Sequence, residues 1–172
     1  MNRRSPALTD IVVGIAAGLF ASFVSKRFQA VWNAAQTAAT GEPAEGGGTQ
    51  DDPAPVQAGD RLAELTVGQP VPEPYREPAG DLVHYATGAA LGGLYGAAAA
   101  MTPAITAGHG IVFGVATTVL MDEALVPALG LSPPPSRTPA LKHVYSLATH
   151  LVFGLALESA RRALQSKPAR AR

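Results

Sequence analysis

The chain has 172 residues, of which 47% are hydrophobic and only 15% are charged, and its formal net charge is zero. Soluble domains carry about 25% charged residues, so this composition favours a membrane protein of a single domain. The neutral balance gives no support for a nucleic-acid partner. The absence of cysteine excludes disulfides and thiol chemistry.

Four apolar stretches are long enough to cross a bilayer and predict membrane helices. The helices are expected over 8–32, 81–101, 106–129 and 140–164. A secretory signal peptide is the alternative for the first stretch, because Arg3 and Arg4 precede a short apolar run, although no clean cleavage site follows it.

Small residues recur every fourth position on the first two helices and predict faces where another helix can approach closely. They are Gly14, Gly18 and Ser22 on the first helix and Gly88, Gly92 and Gly96 on the second. The general abundance of Gly and Ala in this chain is the alternative explanation.

The polar segments divide the chain into four parts. Residues 1–39 form a lead and the first helix, 40–80 a polar and largely disordered outer loop, 81–164 a three-helix membrane region, and 165–172 a basic tail. Within the loop, spacing of apolar residues predicts a short helix over 58–67, and three prolines predict an extended run over 71–78. The fold class is therefore all-α, a four-transmembrane-helix bundle with a disordered, Pro/Gly/acid-rich outer loop.

The distribution of Lys and Arg predicts the orientation, since basic residues near helix ends favour the cytoplasm. With four helices both termini share a side, and we expect that side to be cytoplasmic. It holds most of the basic residues near helix ends: Arg3, Arg4, Arg161, Arg162, Lys167, Arg170 and Arg172.

Ionisable groups inside membrane helices are expensive and are paired or functional, so they form the candidate polar site. Its members are Asp122, Glu123, His84, His143, His150, His109 and Glu158. The rise of 1.5 Å per residue places the first four in the outer half of the bilayer, His150 near its middle, and the last two toward the inner face.

The same estimates of depth in the bilayer identify the candidate charge partners. Lys26 and Arg27 lie in the outer half and are expected near the acids there, whereas Arg161 and Arg162 lie one turn beyond Glu158. On the third helix Glu123 lies about 40° from the face of His109, and Asp122 points about 100° away from Glu123. This spacing favours Glu123 as the functional member of the acidic pair.

Three interpretations of the polar groups remain open. They fix the packing of the bundle or a contact with a partner, which makes the protein non-enzymatic; or they carry protons, ions or a solute along a His–carboxylate line; or they bind a metal. No metal-ligand motif, nucleophile motif or phosphate loop occurs, so neither a metal site nor a cofactor is predicted. The expected partners are the lipid bilayer and either a second copy of the chain or another membrane protein.

Three segments together resemble the YagU-like bacterial inner-membrane proteins, a family of unknown function. They are LVHYATGAALGGLYG, GHGIVFGVATTVLMDEALVPALGLSPPP and HVYSLATHLVFGLALESARRAL. The resemblance covers about 67–164 and implies a small multi-pass protein of the inner membrane. It implies no catalytic residue.

Overall fold

The computed structural model describes residues 8–41 and 52–166, and all regular secondary structure in these ranges is helical. The longer helices are α1 (Leu8–Thr40), α2 (Ala54–Val67), α3 (Arg76–Met101) and, after the shorter pieces, α6 (Ala140–Gln165). Between α3 and α6 the chain forms α4 (Ile111–Thr117), a π-helix (Thr118–Leu125) and α5 (Val126–Ala128). Short 3₁₀ segments cover Glu73–Tyr75, Pro103–Gly110 and Pro135–Arg137.

The long helices α1, α3 and α6 form a bundle in which α1 runs antiparallel to both others. At one end Lys26 of α1 pairs with Asp81 of α3, and Trp32 of α1 packs on Tyr145 of α6 with 5.7 Å between ring centroids. At the other end Gln165 Nε2 donates a hydrogen bond to Asp10 Oδ1 at 3.2 Å. We call the first the loop end and the second the termini end.

The surface of this bundle is apolar, and its interior contains more small and polar side chains than large apolar ones. Seven of the large apolar side chains on the outside are 43–76% exposed: Leu8, Val12, Leu19, Phe20, Leu94, Val119 and Leu120. The helical segments Leu8–Thr40, Pro103–Ala128 and Ala140–Gln165 are long and apolar enough to cross a membrane. These features together indicate a membrane protein.

The predicted second membrane helix exists as part of α3, but α3 is not among these three segments. The reason lies in its composition, because its glycines, His84, Tyr85 and Tyr95 lower the mean hydropathy. Three spans are thus supported by length and composition, and the fourth stays a prediction.

The small-residue faces of α1 and α3 interlock, which bears out the spacing seen in the sequence. A methyl group added at Gly14, Gly18 or Gly92 would overlap backbone atoms of the opposite helix. A second seam joins α4 to α6, where a methyl group on Gly114 would lie 2.5 Å from the carbonyl oxygen of His150. Only glycine permits such close approach, so these seams fix which helices are neighbours.

The third helical segment predicted over 106–129 is present over Pro103–Ala128, but it is not one continuous α-helix. The chain turns at Ala107–Gly110, where His109 has φ +57° and Gly110 has φ +89°. Gly110 is needed there because it lies against the backbone of Gly154. The following helix changes from α to π at Thr118, so positions on either side of these breaks do not follow one helical repeat.

The prediction of a largely disordered loop over 40–80 is wrong for its second half, because α2 is a 14-residue helix packed on α3. The expected helix over 58–67 is present and starts earlier, and the expected extended run over 71–78 instead contains a 3₁₀ turn and the start of α3. Arg76 holds α2 in place by pairing with Asp52 and with Asp60, 2.7 Å away. The bond from Arg76 lowers the pKa of Asp60 below its ordinary value. The predicted disorder over 42–51 and the basic tail from 167 lie outside the described residues.

Candidate functional site

Two groups of polar side chains lie inside the bundle, one toward each end. Near the termini end, Glu158 of α6 is fully buried and is the centre of the Glu158 cluster. Tyr95 of α3 donates its hydroxyl to Glu158 Oε2 at 2.8 Å. Arg161 donates two bonds to the carboxylate at 2.7 and 2.8 Å, and Arg162 donates one at 2.5 Å.

The Glu158 cluster agrees with the predicted pairing of Glu158 with the arginines three and four residues later. Tyr95 was not predicted, and it ties this local pair to another helix. Its ring also packs on Phe113 at 4.7 Å between centroids and lies under the guanidinium of Arg161. The sequence feature that could have identified Tyr95 is its position as an isolated aromatic residue in the Gly- and Ala-rich part of α3.

Toward the loop end lies the second group, the acidic-pair cluster, formed by Asp122, Glu123, His143, Ser146 and His150. Asp122 accepts a hydrogen bond from the hydroxyl of Ser146 and lies 3.3 Å from His150 Nδ1. Glu123 Oε1 lies 2.6 Å from His143 Nδ1. The two acids therefore have separate partners, as their different directions on the helix predicted, and both partners belong to α6.

Both ring nitrogens of His143 face oxygen atoms, since its Nε2 lies 3.2 Å from the carbonyl oxygen of Pro135. An imidazolium cation, protonated on each nitrogen, satisfies both contacts. The side chains of Glu123 and His143 are 28% and 34% exposed, so this pair reaches the surface of the bundle. The local chain is a π-helix, a form often found at functional sites, and it places the consecutive acids opposite two turns of α6.

Lys26 and Arg27 do not pair with Asp122 or Glu123, which corrects the predicted charge partners. Lys26 pairs with Asp81 at the start of the predicted span of α3, and the guanidinium of Arg27 lies 5.0 Å from the ring centre of Phe23. The physical reason is the glycine seam, which draws α1 against α3 and places Lys26 beside Asp81 rather than beside the π-helix.

The two other predicted histidines lie outside both clusters. Nε2 of His84 is 3.3 Å from the carbonyl oxygen of Ser22, although the ring is close enough to His150 for an electrostatic interaction. His109 lies on the surface with its Nε2 3.1 Å from Ser159 Oγ. The predicted face shared by His109 and Glu123 does not exist, because the chain between them is not one continuous α-helix.

The polar groups do not form the continuous line that a relay across the bundle requires. Glu158 lies eight positions beyond His150 on α6, about 12 Å at 1.5 Å per residue. Phe153 and Leu157, which are 5% and 0% exposed, occupy this interval together with Ala17 and Ala21 of α1. An apolar layer therefore separates the acidic-pair cluster from the Glu158 cluster.

In the described ranges, no group of three or more His, Asp or Glu side chains is arranged to hold a metal ion. In the acidic-pair cluster the His and carboxylate groups instead form two separate pairs, His143 with Glu123 and His150 with Asp122. The metal-binding interpretation thus has no geometric support in this part of the chain.

Comparison with known proteins gives one match. No curated protein and no solved structure matches the chain. The sequence model of one family matches residues 74–159, which is half of the chain and runs from just before α3 into the last turns of α6, so that it includes the acidic-pair cluster, Tyr95 and Glu158. The chain belongs to DUF1440, a family of proteins of unknown function.

Proposed function

We propose that the protein is a non-enzymatic multi-pass membrane protein whose interior polar groups fix the packing of a four-helix bundle. The observation that carries this proposal is that four acidic side chains in the bundle each contact a helical segment other than their own. Asp81 joins α3 to α1, Asp122 and Glu123 join the π-helix to α6, and Glu158 joins α6 to α3. Intramembrane charges usually pair in this way, and such pairs specify which helices meet.

In this proposal α3 is the fourth span. Its glycine seam with α1 and its pairing at both ends place it inside the bundle, where low hydropathy is tolerated because neighbouring helices cover part of its surface. The resemblance to the YagU-like proteins supports placement in a bacterial inner membrane. The bias of Lys and Arg supports cytoplasmic termini.

The competing carrier function needs the acids and histidines to exchange protons or ions with both sides of the membrane. The apolar layer at Phe153 and Leu157 opposes that function. The exposed fraction of Glu123 and His143 allows protonation from the loop end but supplies no route through the bundle.

Proton flux into liposomes tests the two functions against each other. Wild-type protein and the variants Glu123→Gln and His150→Ala are reconstituted with a pH-sensitive dye inside the vesicles, and protein-free vesicles are the control. We expect all four preparations to have the same flux. If the wild-type flux exceeds that of the protein-free control and Glu123→Gln abolishes it, the structural function is contradicted and the carrier function is supported.

A further inference from the structure

At the loop end, α1 and α3 enclose a cleft of ≈ 540 Å³ that is separate from both polar clusters. This volume lies within the range of ligand pockets, roughly 300–1,000 Å³. Its walls combine cationic, amide and aromatic side chains from Phe23, Lys26, Arg27, Gln29, Asn33, Asp81 and Tyr85.

The cleft carries net positive charge. Lys26 and Arg27 contribute two cations, and Asp81 contributes one anion that pairs with Lys26. Within the described ranges, Arg27 has no carboxylate partner and contacts only the face of Phe23 through its guanidinium. Its N–H donors are free for an anion, and a guanidinium fits the oxygens of a phosphate in a bidentate manner.

The level of the cleft in the membrane identifies the kind of anion. Lys26 is 18 residues beyond Leu8, the first residue of the apolar helix α1. At 1.5 Å per residue this is about 27 Å, close to the thickness of the hydrocarbon core, so the cleft opens where lipid headgroups lie. Phe23 and Phe20, which are 45% and 51% exposed, lie on the side of the bilayer interior, where acyl chains are.

We propose that this cleft binds one anionic phospholipid, with Arg27 on the headgroup phosphate, Gln29 and Asn33 as amide donors, and Phe23 against the acyl chain. This site rests on the membrane placement in the proposed function, but not on the role given there to the polar clusters. The net positive charge favours an anionic lipid over a zwitterionic one. The ammonium group of a zwitterionic headgroup would find no unpaired carboxylate in the cleft, because Asp81 already pairs with Lys26.

The single tryptophan of the chain provides a probe, because Trp32 precedes Asn33 on α1. The protein is reconstituted in vesicles of equal parts phosphatidylglycerol and phosphatidylcholine. Either the first or the second lipid carries a nitroxide label at the headgroup end of one acyl chain, which quenches tryptophan fluorescence at short range. The ratio of the two quenching values reports which lipid occupies the surface near Trp32.

We expect the wild type to prefer phosphatidylglycerol by about fivefold, the effect of one basic residue at an anionic surface. Arg27→Gln is expected to abolish most of this preference, and Asn33→Ala to reduce it. Both positions are at least partly exposed, so the variants should fold, which circular dichroism checks. Arg137→Gln is the matched control, because it removes one exposed positive charge at the same end but outside the cleft and should leave the preference unchanged.

Three results would overturn the proposal. Equal quenching by the two lipids in the wild type would show that the cleft selects no lipid, while the membrane placement would stand. Absence of quenching by either lipid would show that no lipid lies close to Trp32 and would remove the lipid from the cleft. Loss of the preference in inorganic phosphate, but not in chloride of equal ionic strength, would show that the cleft binds free phosphate rather than a lipid.

Discussion

Glu158 is a fully buried carboxylate whose negative charge compensates two neighbouring arginines. It has no solvent exposure, accepts bonds from three side chains, and balances Arg161, which is itself only 13% exposed. When one member of such a buried group is neutralised, the remaining charge is left without compensation in a poorly solvated place.

We therefore expect Glu158→Gln to lower the free energy of unfolding in detergent micelles by about 3 kcal/mol, at the lower end of the range for buried pairs because Arg162 can reach water. Tyr95→Phe keeps the ring on Phe113 and removes only the hydroxyl, so its loss should be about 1.5 kcal/mol. Glu64→Gln on the exposed face of α2 is the matched control and should change little. A neutral effect of Glu158→Gln would show that the arginines find other partners and that the cluster does not fix the bundle.

Sequence reasoning at the residue scale worked where partners are close in the chain. The pairing of Glu158 with Arg161 and Arg162 follows from helical spacing alone. The partners of Asp122 and Glu123 depend on which helix packs beside the π-helix and on the extra residue in each of its turns. Neither property is visible in the hydrophobic pattern, so the histidines of α6 were identified as candidates but not as the specific partners.

At the scale of helices, two glycine seams determine the neighbours. The seam of α1 with α3 brings backbone against backbone at Gly14, Gly18, Gly88 and Gly92, and the seam of α4 with α6 does so at Gly110, Gly114 and Gly154. The first was predictable from four-residue spacing. The second was not, because Gly110 adopts a left-handed conformation at the start of α4, outside any regular helical repeat.

Adjacent glycines of α3 allow a controlled test of the first seam. A methyl group at Gly92 would meet the backbone of Gly14 and Gly18, which cannot move without separating the helices. We expect Gly92→Ala to lower the free energy of unfolding by about 1–3 kcal/mol. At Gly93 the methyl group meets only side chains, those of Ile15 at 3.1 Å and Ile11 at 3.6 Å, and a shift of a few tenths of an ångström relieves the closer contact.

Gly93→Ala is therefore the control, and it should be neutral or slightly stabilising, because Ala favours a helix over Gly by up to about 1 kcal/mol. Unfolding of both variants is followed by circular dichroism during titration with a denaturing detergent. If Gly92→Ala were as neutral as Gly93→Ala, helix packing at this face would tolerate an added methyl group, and the seam would not select the neighbour of α1.

At the scale of the whole molecule, the sequence predicted the all-helical class and the apolar segments but not the division of the third segment or the order in the loop. Hydrophobic length identifies a helix that can cross a membrane, whereas Pro103, Gly108 and Gly110 decide where that segment bends. The helix α2 depends on a distant ion pair from Arg76, which local composition does not reveal.

The proposed function requires four membrane spans, one more than the three segments that are long and apolar enough by composition. Because the chain contains no cysteine, single substitutions by cysteine report the side of the membrane without background labelling. Four positions are exposed in the connections or at the end of the last helix: Thr66, Thr102, Ser136 and Ser166.

With four spans, a membrane-impermeant maleimide added to sealed, oriented vesicles should label Thr66→Cys and Ser136→Cys from one side and Thr102→Cys and Ser166→Cys from the other. If α3 does not cross, Thr66→Cys and Thr102→Cys will label from the same side. The antiparallel contacts of α1 with α3 and α6 favour the first pattern, because Lys26 meets Asp81 at the loop end while Asp10 meets Gln165 at the termini end.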